Sequence, residues 1–266
     1  MAKKSIFSAL RQVPPPSKVR VWEDGLVGDR LEWREGGNVD FTRSIKSQGY
    51  LIARQKMMME SDEDIYVSLD DDAWFLDEKG MAAAVRVMEG DPKVAAVAFD
   101  ILSPDRPRLD RGVSLEPSNM FIGCGHALRL EAVRSVGGYE KMPGLYGGEE
   151  KDLCLRLIDA GWKIVKLVGV PVWHEKTALM REIKEQRKSG VVNDLTLIAR
   201  RCPASQLIWN LGGNALNQIL FSMRKPGERL IPTLIGLGSF LRQIPKVWAT
   251  RRPVRRETWN QYRGLS

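Results

Sequence analysis

Residues 66–72 read Tyr66-Val67-Ser68-Leu69-Asp70-Asp71-Asp72, an apolar run that ends in three consecutive carboxylates. The run from Ile65 to Leu69 predicts a buried β-strand, because it is short, apolar and bounded by polar residues. Alternate residues of an extended chain point the same way, so Asp70 and Asp72 are expected to share a face and Asp71 to point to the other. Two carboxylates at a strand end suit a hard divalent cation, although a solvated acidic turn has the same pattern.

The segments on either side of this run alternate between strand and helix patterns, which indicates an α/β fold. Strands are predicted at 18–22, 65–69, 94–99 and 163–172, and helices at 6–13, 75–88 and 149–160. Beyond residue 200, apolar residues recur every four positions and basic residues accumulate. We therefore expect an α/β domain over 1–199 and an amphipathic, basic helical tail over 200–266.

Charge is distributed unevenly along the 266 residues, whose net charge is +8. Residues 200–266 contain 12 Lys/Arg and two acids, whereas residues 1–199 contain 29 bases and 31 acids. The basic character therefore belongs to the tail, and no nucleic-acid partner is expected. The three cysteines are scattered without CxxC spacing, and no apolar run reaches spanning length, so the cytosol is the expected compartment.

A second group of motifs lies between residues 137 and 174. Glu149 and Glu150 begin a predicted helix, where the helix dipole favours the ionised carboxylate that a general base requires. Acidic residues also occur at helix starts as ordinary caps, and His174 at a strand end has a structural interpretation too. The full group is Gly137-Gly138-Tyr139-Glu140, Gly147-Gly148-Glu149-Glu150-Lys151-Asp152-Leu153-Cys154-Leu155-Arg156, Ala160-Gly161-Trp162 and Val170-Pro171-Val172-Trp173-His174.

Taken in order, these motifs resemble the pattern of family 2 glycosyltransferases of the GT-A fold. That pattern is a strand ending in a DxD-type triplet, a Gly-Gly-Tyr/Phe-Asp/Glu turn, a Glu-Asp-x-Asp-Leu-x-x-Arg helix, an Ala-Gly-aromatic turn and a strand closing on His. The resemblance covers residues 18–174 and implies a Rossmann-like mixed sheet flanked by helices. It also implies an inverting glycosyltransferase of hexosyltransferase type (EC 2.4), with a UDP-, dTDP- or GDP-sugar donor and Mn²⁺ or Mg²⁺.

The resemblance also assigns roles to individual residues. Glu150 occupies the position of the catalytic aspartate, and because glutamate is one methylene longer, Glu149 remains a rival for the base. The implied metal ligands are Asp72, Asp70 and His174. The implied nucleotide-sugar contacts are Glu23, Asp24, Arg54, Asp70 and Asp71, and the donor-sugar or acceptor contacts are His126, Gly147, Gly148 and Trp173.

The tail is similar to that of bacterial enzymes that build cell-surface polysaccharides, several of them called rhamnosyltransferases. This similarity implies a saccharide or lipid-linked saccharide acceptor and a peripheral position on the cytoplasmic face of the membrane. The tail itself is either a solvated helical cap or a segment that docks on an anionic membrane surface.

The start of the chain departs from the family pattern, because the opening strand of the fold is missing before the first predicted helix. We expect the natural gene product to extend upstream. Two other functions stay open: a sugar-1-phosphate nucleotidyltransferase, and a non-catalytic, membrane-associated saccharide-binding protein derived from a transferase.

Overall fold

A computed structural model describes residues 1–25, 31–106, 112–176 and 183–264. The chain forms two compact units, Met1–Tyr139 with Gly161–Thr177 and Glu140–Ala160 with Ala178–Ser266. We call them the sheet unit and the helical unit. These limits differ from the boundary placed between residues 199 and 200, which stays a prediction.

The sheet unit contains eight described strands: β1 (Val19–Asp24), β2 (Val39–Ser44), β3 (Ile65–Leu69), β4 (Ala73–Phe75), β5 (Val94–Leu102), β6 (Ser114–Ser118), β7 (Gly125–Arg129) and β8 (Lys163–His174). Six of them form a mixed sheet in the order β3-β7-β5-β8-β4, with β6 paired to β8. Only β5 and β8 run parallel in this sheet. Strands β1 and β2 form a separate parallel pair, which among the described residues has no hydrogen-bonded partner in the larger sheet.

Four of the described helices belong to the sheet unit: α1 (Ala2–Leu10), α2 (Tyr50–Met59), α3 (Gly80–Gly90) and α4 (Leu130–Ser135). Helix α3 presents Ala84 and Met88 to the core that the central strands build. Its first residue is Gly80, where a Cβ atom would lie 2.7 Å from a ring carbon of Phe75. This close approach of helix and strand fixes how α3 packs on the sheet.

The helix predicted over residues 75–88 is correct in type but wrong at its start. Residues 73–75 instead form β4, which pairs antiparallel with β8, and the helix begins at Gly80. The aromatic pair Trp74 and Phe75 is buried in the sheet, so pairing with a strand about a hundred residues away overrides the local helical pattern. The other predicted strands and helices are present, and their limits agree with the predictions to within four residues.

The helical unit contains α5 (Glu149–Asp159), α6 (Ile183–Arg201), α7 (Ala204–Ser222), α8 (Pro226–Ala249) and α9 (Arg256–Gly264). Its core lies where Val191, Val192 and Leu195 of α6 meet Phe240 and Val247 of α8. Among the described helices, none combines the length and apolar character needed to cross a membrane.

Candidate active site

The acidic triplet forms the turn between β3 and β4. The turn closes with a hydrogen bond from the Ala73 amide to the Asp70 carbonyl, at 3.1 Å. In the antiparallel pair of β4 and β8, Ala73 lies opposite His174, so the last residue of β8 is brought beside Asp72. The amide of Glu175 donates to the Asp72 carbonyl at 3.0 Å and holds this register.

Three side chains at this turn form a ligand set for a cation. One ligand atom from each of Asp70, Asp72 and His174 lies within 4.8 Å of the other two. The Nε2 atom of His174 is buried without a hydrogen bond, although it lies 3.3 Å from an Asp72 carboxylate oxygen. A buried polar atom without a partner is costly, and a cation bound by both side chains removes that cost. Two carboxylates and an imidazole therefore fit a divalent metal.

Asp70 also contacts a cation of the protein itself. Nη2 of the buried Arg54 donates to an Asp70 carboxylate oxygen at 2.8 Å. The guanidinium lies 5.5 Å from the ring centroid of Tyr50, one helical turn earlier on α2. Helix α2 thus supplies a fixed positive group at the edge of the acidic turn, which suits binding of a phosphate-bearing ligand.

Asp24, at the end of β1, organises the loop that leads into α2. Its two carboxylate oxygens accept hydrogen bonds from the hydroxyls of Ser44 and Ser47 and from the amides of Gln48 and Gly49, at 2.7–2.8 Å. Desolvation alone would raise the pKa of Asp24, but these four donors hold it at about 2. The adjacent Glu23 accepts from the Leu31 amide at 2.7 Å and pairs with Arg43.

A cavity of about 1780 Å³ in the sheet unit brings together the five residues predicted to contact the nucleotide sugar, Glu23, Asp24, Arg54, Asp70 and Asp71. Every residue of β1 and of β3 lines it. Successive residues of a strand point to opposite faces, so a cavity that touches all of them runs along the strand edges. Its volume exceeds the roughly 300–1,000 Å³ of an ordinary ligand pocket.

His126 lies inside the fold, not at an open surface. Its side chain is fully buried and stacks on Phe121, with ring centroids 4.1 Å apart. The Tyr139 hydroxyl is 3.2 Å from Nε2, and the Ile122 carbonyl is 3.1 Å from Nδ1. Burial, with a smaller effect of the Arg54 charge, lowers the pKa of His126 to about 3. The contact between His126 and a sugar stays a prediction; in this structure the ring packs on Phe121 and lies within hydrogen-bond distance of the Tyr139 hydroxyl.

The predicted catalytic residues lie at the N-terminus of α5 in the helical unit. Glu149 is buried, whereas Glu150 is half-buried. Gly147 and Gly148 precede them with φ of +81° and +96°, a left-handed conformation that glycine adopts without strain. Asn193 of α6 holds this loop, because its amide nitrogen donates to the Gly147 carbonyl at 2.5 Å and its amide oxygen accepts from the Gly144 amide at 2.7 Å.

Trp173, the remaining residue predicted to contact a sugar, is half-buried on β8. Its indole nitrogen donates to the Glu175 carboxylate at 2.7 Å, and its ring lies 6.5 Å from that of Trp74. Trp173 thus borders the strand end that carries His174.

The sequence interpretation missed a buried ion network in the helical unit. Asp152, fully buried on α5, accepts from Arg156 at 2.7 Å and from Arg201 at 2.6 Å. Arg201 also pairs with Glu140 at 2.8 Å, and Arg200 donates to the Lys141 carbonyl at 3.1 Å. The signal for this network was the Asp-Leu-x-x-Arg spacing on α5, but no local pattern marks Arg201 as its partner.

No protein-family model matches the chain. A stretch of 106 residues is 28% identical to beta-1,4-galactosyltransferase 5 of Sus scrofa, covering 35% of this chain and 27% of that protein. The chain thus spans about a quarter of the length of this relative.

Solved structures match over more of the chain. S. aureus TarS 1-349 in complex with UDP-GlcNAc aligns with a TM-score of 0.64 at 11% identity, covering 94% of this chain and 80% of that one. The mannosyltransferase PcManGT from Pyrobaculum calidifontis, in complex with GDP-Man and Mn²⁺, aligns with a TM-score of 0.56 at 13% identity, covering 99% and 80%. The mixed sheet flanked by helices and these two alignments confirm the predicted fold: the chain has the GT-A fold of nucleotide-sugar glycosyltransferases.

Proposed function

We propose that the protein is an inverting, metal-dependent glycosyltransferase of hexosyltransferase type that acts in cell-surface polysaccharide synthesis. The observation that carries this proposal is the group of Asp70, Asp72 and His174 at a strand end of a GT-A fold. The donor is a nucleotide sugar with a UDP, dTDP or GDP group, and the two solved neighbours with UDP-GlcNAc and GDP-Man support this class.

The acidic turn would hold the diphosphate of the donor through a divalent cation. Asp72 and His174 are its first candidates as ligands, because the buried His174 Nε2 has no hydrogen bond. Asp70 is shared with Arg54, whose guanidinium would contact the phosphates directly. A divalent cation bound there neutralises negative charge on the departing nucleoside diphosphate. The Mn²⁺ in the mannosyltransferase structure makes Mn²⁺ the first ion to test, with Mg²⁺ second.

Nucleotide and sugar contacts are proposed for two groups of residues. Glu23, Asp24 and Asp71 line the cavity in the sheet unit and would contact the nucleoside. Gly147, Gly148 and Trp173 are proposed to contact the donor sugar or the acceptor.

Glu150 is the proposed general base. It takes the proton of the acceptor hydroxyl, whose oxygen attacks the anomeric carbon from the face opposite the leaving group and inverts the configuration. Its half-buried position favours it over the buried Glu149, because a base must reach its substrate. Both carboxylates begin α5, where the helix dipole favours the ionised form.

The acceptor is proposed to be a hydroxyl of a saccharide or a lipid-linked saccharide. The enzyme would act at the cytoplasmic face of the membrane, where lipid-linked intermediates can be reached.

A donor panel tests this function. The full chain is incubated with UDP-, dTDP- and GDP-sugars, with Mn²⁺, Mg²⁺ or a chelator, and released nucleoside diphosphate is measured. We expect release with one donor class, loss of release with the chelator, and a drop of about 10²–10⁴-fold in Glu150→Gln. A larger loss in Glu149→Gln than in Glu150→Gln would transfer the base to Glu149.

The same assay separates the alternatives. Donor binding without release of diphosphate under any condition would favour the non-catalytic saccharide-binding protein. Release of pyrophosphate from a nucleoside triphosphate and a sugar-1-phosphate would favour the nucleotidyltransferase. The anomeric configuration of the product, read by NMR, decides between inversion and retention.

A further inference from the structure

The surface of α8 that faces away from α6 is strongly apolar. Residues Pro232, Thr233, Gly236, Phe240 and Val247 are buried on one side of the helix. Five exposed side chains lie on the opposite half of its circumference: Ile231 at 66%, Leu234 at 51%, Ile235 at 50%, Leu241 at 63% and Trp248 at 58%. A sixth, Ile244 at 40%, lies at the border with the buried side. We call these six residues the α8 stripe. A stripe of this length on the solvent side of a helix indicates an interaction surface.

Helix α7, which packs beside α8, has the same property. Ile208 and Trp209 are 80% and 82% exposed, and Leu216 and Leu220 are 56% and 53% exposed. Their spacing places them on one face of the helix. We call these four residues the α7 stripe.

Basic side chains border the α8 stripe and the end of α7. Helical geometry places the exposed Arg242 and Lys246 on the flank of α8 that carries Ile235. The guanidinium of Arg229 lies 4.5 Å from the ring centroid of Phe221 at the end of α7, and that of Arg251 lies 5.4 Å from the ring centroid of Trp248. Exposed aromatic rings beside basic groups are typical of residues that lie at a membrane–water interface.

Charge distinguishes between the occupants that an apolar face can have. Residues 200–266 carry 12 basic and two acidic residues, and even with Arg200 and Arg201 buried the exposed surface is strongly positive. A second copy of the chain would bring this positive surface toward itself, and like charges repel. An anionic lipid surface complements both the charge and the apolar stripes.

We propose that the α7 and α8 stripes form a docking surface for an anionic membrane, which they enter at headgroup depth without crossing it. The basic residues along α8 contact lipid phosphates, while the apolar side chains enter the boundary of the acyl region. This interaction needs no donor or acceptor, so it stands or falls independently of the proposed sugar transfer.

Vesicle co-sedimentation of the full chain, without any sugar donor, tests the proposal. Vesicles of phosphatidylcholine alone are compared with vesicles that also contain phosphatidylglycerol. We expect binding to the anionic vesicles only. Arg242→Gln with Lys246→Gln should weaken it by about fivefold per residue, corresponding to roughly 1 kcal/mol each. The control pair Arg11→Gln with Lys93→Gln, both exposed in the sheet unit, should leave it unchanged.

A second variant tests the apolar contribution. Ile235→Gln with Leu241→Gln should reduce binding by about tenfold or more, since each side chain loses apolar burial. The matched control is Ile45→Gln with Leu115→Gln, which are 87% and 51% exposed in the sheet unit. Circular dichroism checks that each variant is folded. If Ile235→Gln with Leu241→Gln does not fold, Arg242→Gln with Lys246→Gln still tests the proposal.

Three outcomes overturn the proposal. The first is equal binding to neutral and anionic vesicles, and the second is equal binding of the wild type and both variants. The third is that the chain does not bind vesicles but forms a dimer in light scattering, and that Ile235→Gln with Leu241→Gln dissociates this dimer. The last result would assign the stripes to a second copy of the chain.

Discussion

At the scale of single residues, Asp72 provides a direct test of the metal site. Asp72→Asn keeps the size of the side chain but removes the charge that a divalent cation needs. Loss of a residue that only orients a metal ligand lowers metal affinity by about 10- to 100-fold. Because Asp72 would itself be a ligand, we expect the Mn²⁺ affinity of the full chain, measured by isothermal titration calorimetry, to fall by at least this much.

The control for this substitution is Asp64→Asn, an exposed carboxylate just before β3. Its Mn²⁺ affinity should equal that of the wild type. Unchanged affinity in Asp72→Asn would contradict the assignment of the cation to this turn.

His126 gives a prediction on pH dependence. Its pKa is about 3 in the folded chain against 6.5 in the unfolded one, so between these values the unfolded chain binds more protons. Its contribution to stability is therefore complete above pH 6.5 and is lost as the pH falls towards 3, by up to about 1.4 kcal/mol per pH unit.

Urea unfolding at a series of pH values measures this effect. In His126→Phe, the ring can still stack on Phe121 but cannot take up a proton, so stability should fall less steeply between pH 6.5 and 3. The wild type and His126→Phe both contain His174, so a difference between the two chains comes from position 126. Equal slopes for the two chains would show that the buried ring does not control this part of the acid response.

At the scale of elements, a buried ion network joins α5 to α6. Arg201→Met removes a partner of the fully buried Asp152. Removing one partner of a buried ion pair usually lowers the free energy of unfolding by about 3–5 kcal/mol. Because Arg156 remains paired with Asp152, we expect a loss in this range or somewhat below it. Urea denaturation of the full chain measures it.

Arg252→Met is the control, because that side chain is exposed. A surface substitution of this kind usually changes stability by about 0.5 kcal/mol or less. If the two variants unfold alike, Arg201 is not a structural partner of α5.

At the scale of the whole molecule, the two proposals combine in one expectation. If the tail docks on anionic lipid, transfer to a lipid-linked acceptor in anionic vesicles should decline as salt rises, because screening weakens the attraction of exposed basic residues to the surface. Transfer to a soluble acceptor, measured at the same salt concentrations by diphosphate release, should change little. A parallel decline with both acceptors would place the salt effect in the catalytic reaction and not in docking.

Much of the fold was predictable because the decisive patterns are local. The apolar run before Asp70, the amphipathic spacing of α5 and the strand that ends at His174 each lie within about a dozen residues. Periodicity of this kind follows from the geometry of one strand or helix. The predicted start of α3 was wrong because Trp74 and Phe75 belong to β4, and no local sequence pattern indicates the pairing of β4 with β8.

The sequence by itself determined the alternation of elements, the acidic turn after β3, the paired glutamates at the start of α5 and the concentration of basic residues after residue 200. Only the tertiary structure decided that His174 lies beside Asp72, that His126 is buried, and that Arg201 pairs with Asp152. The physical reason is the separation along the chain of the residues that interact. Local patterns depend on neighbouring residues, whereas these three outcomes depend on strand register and helix packing between residues far apart in the chain.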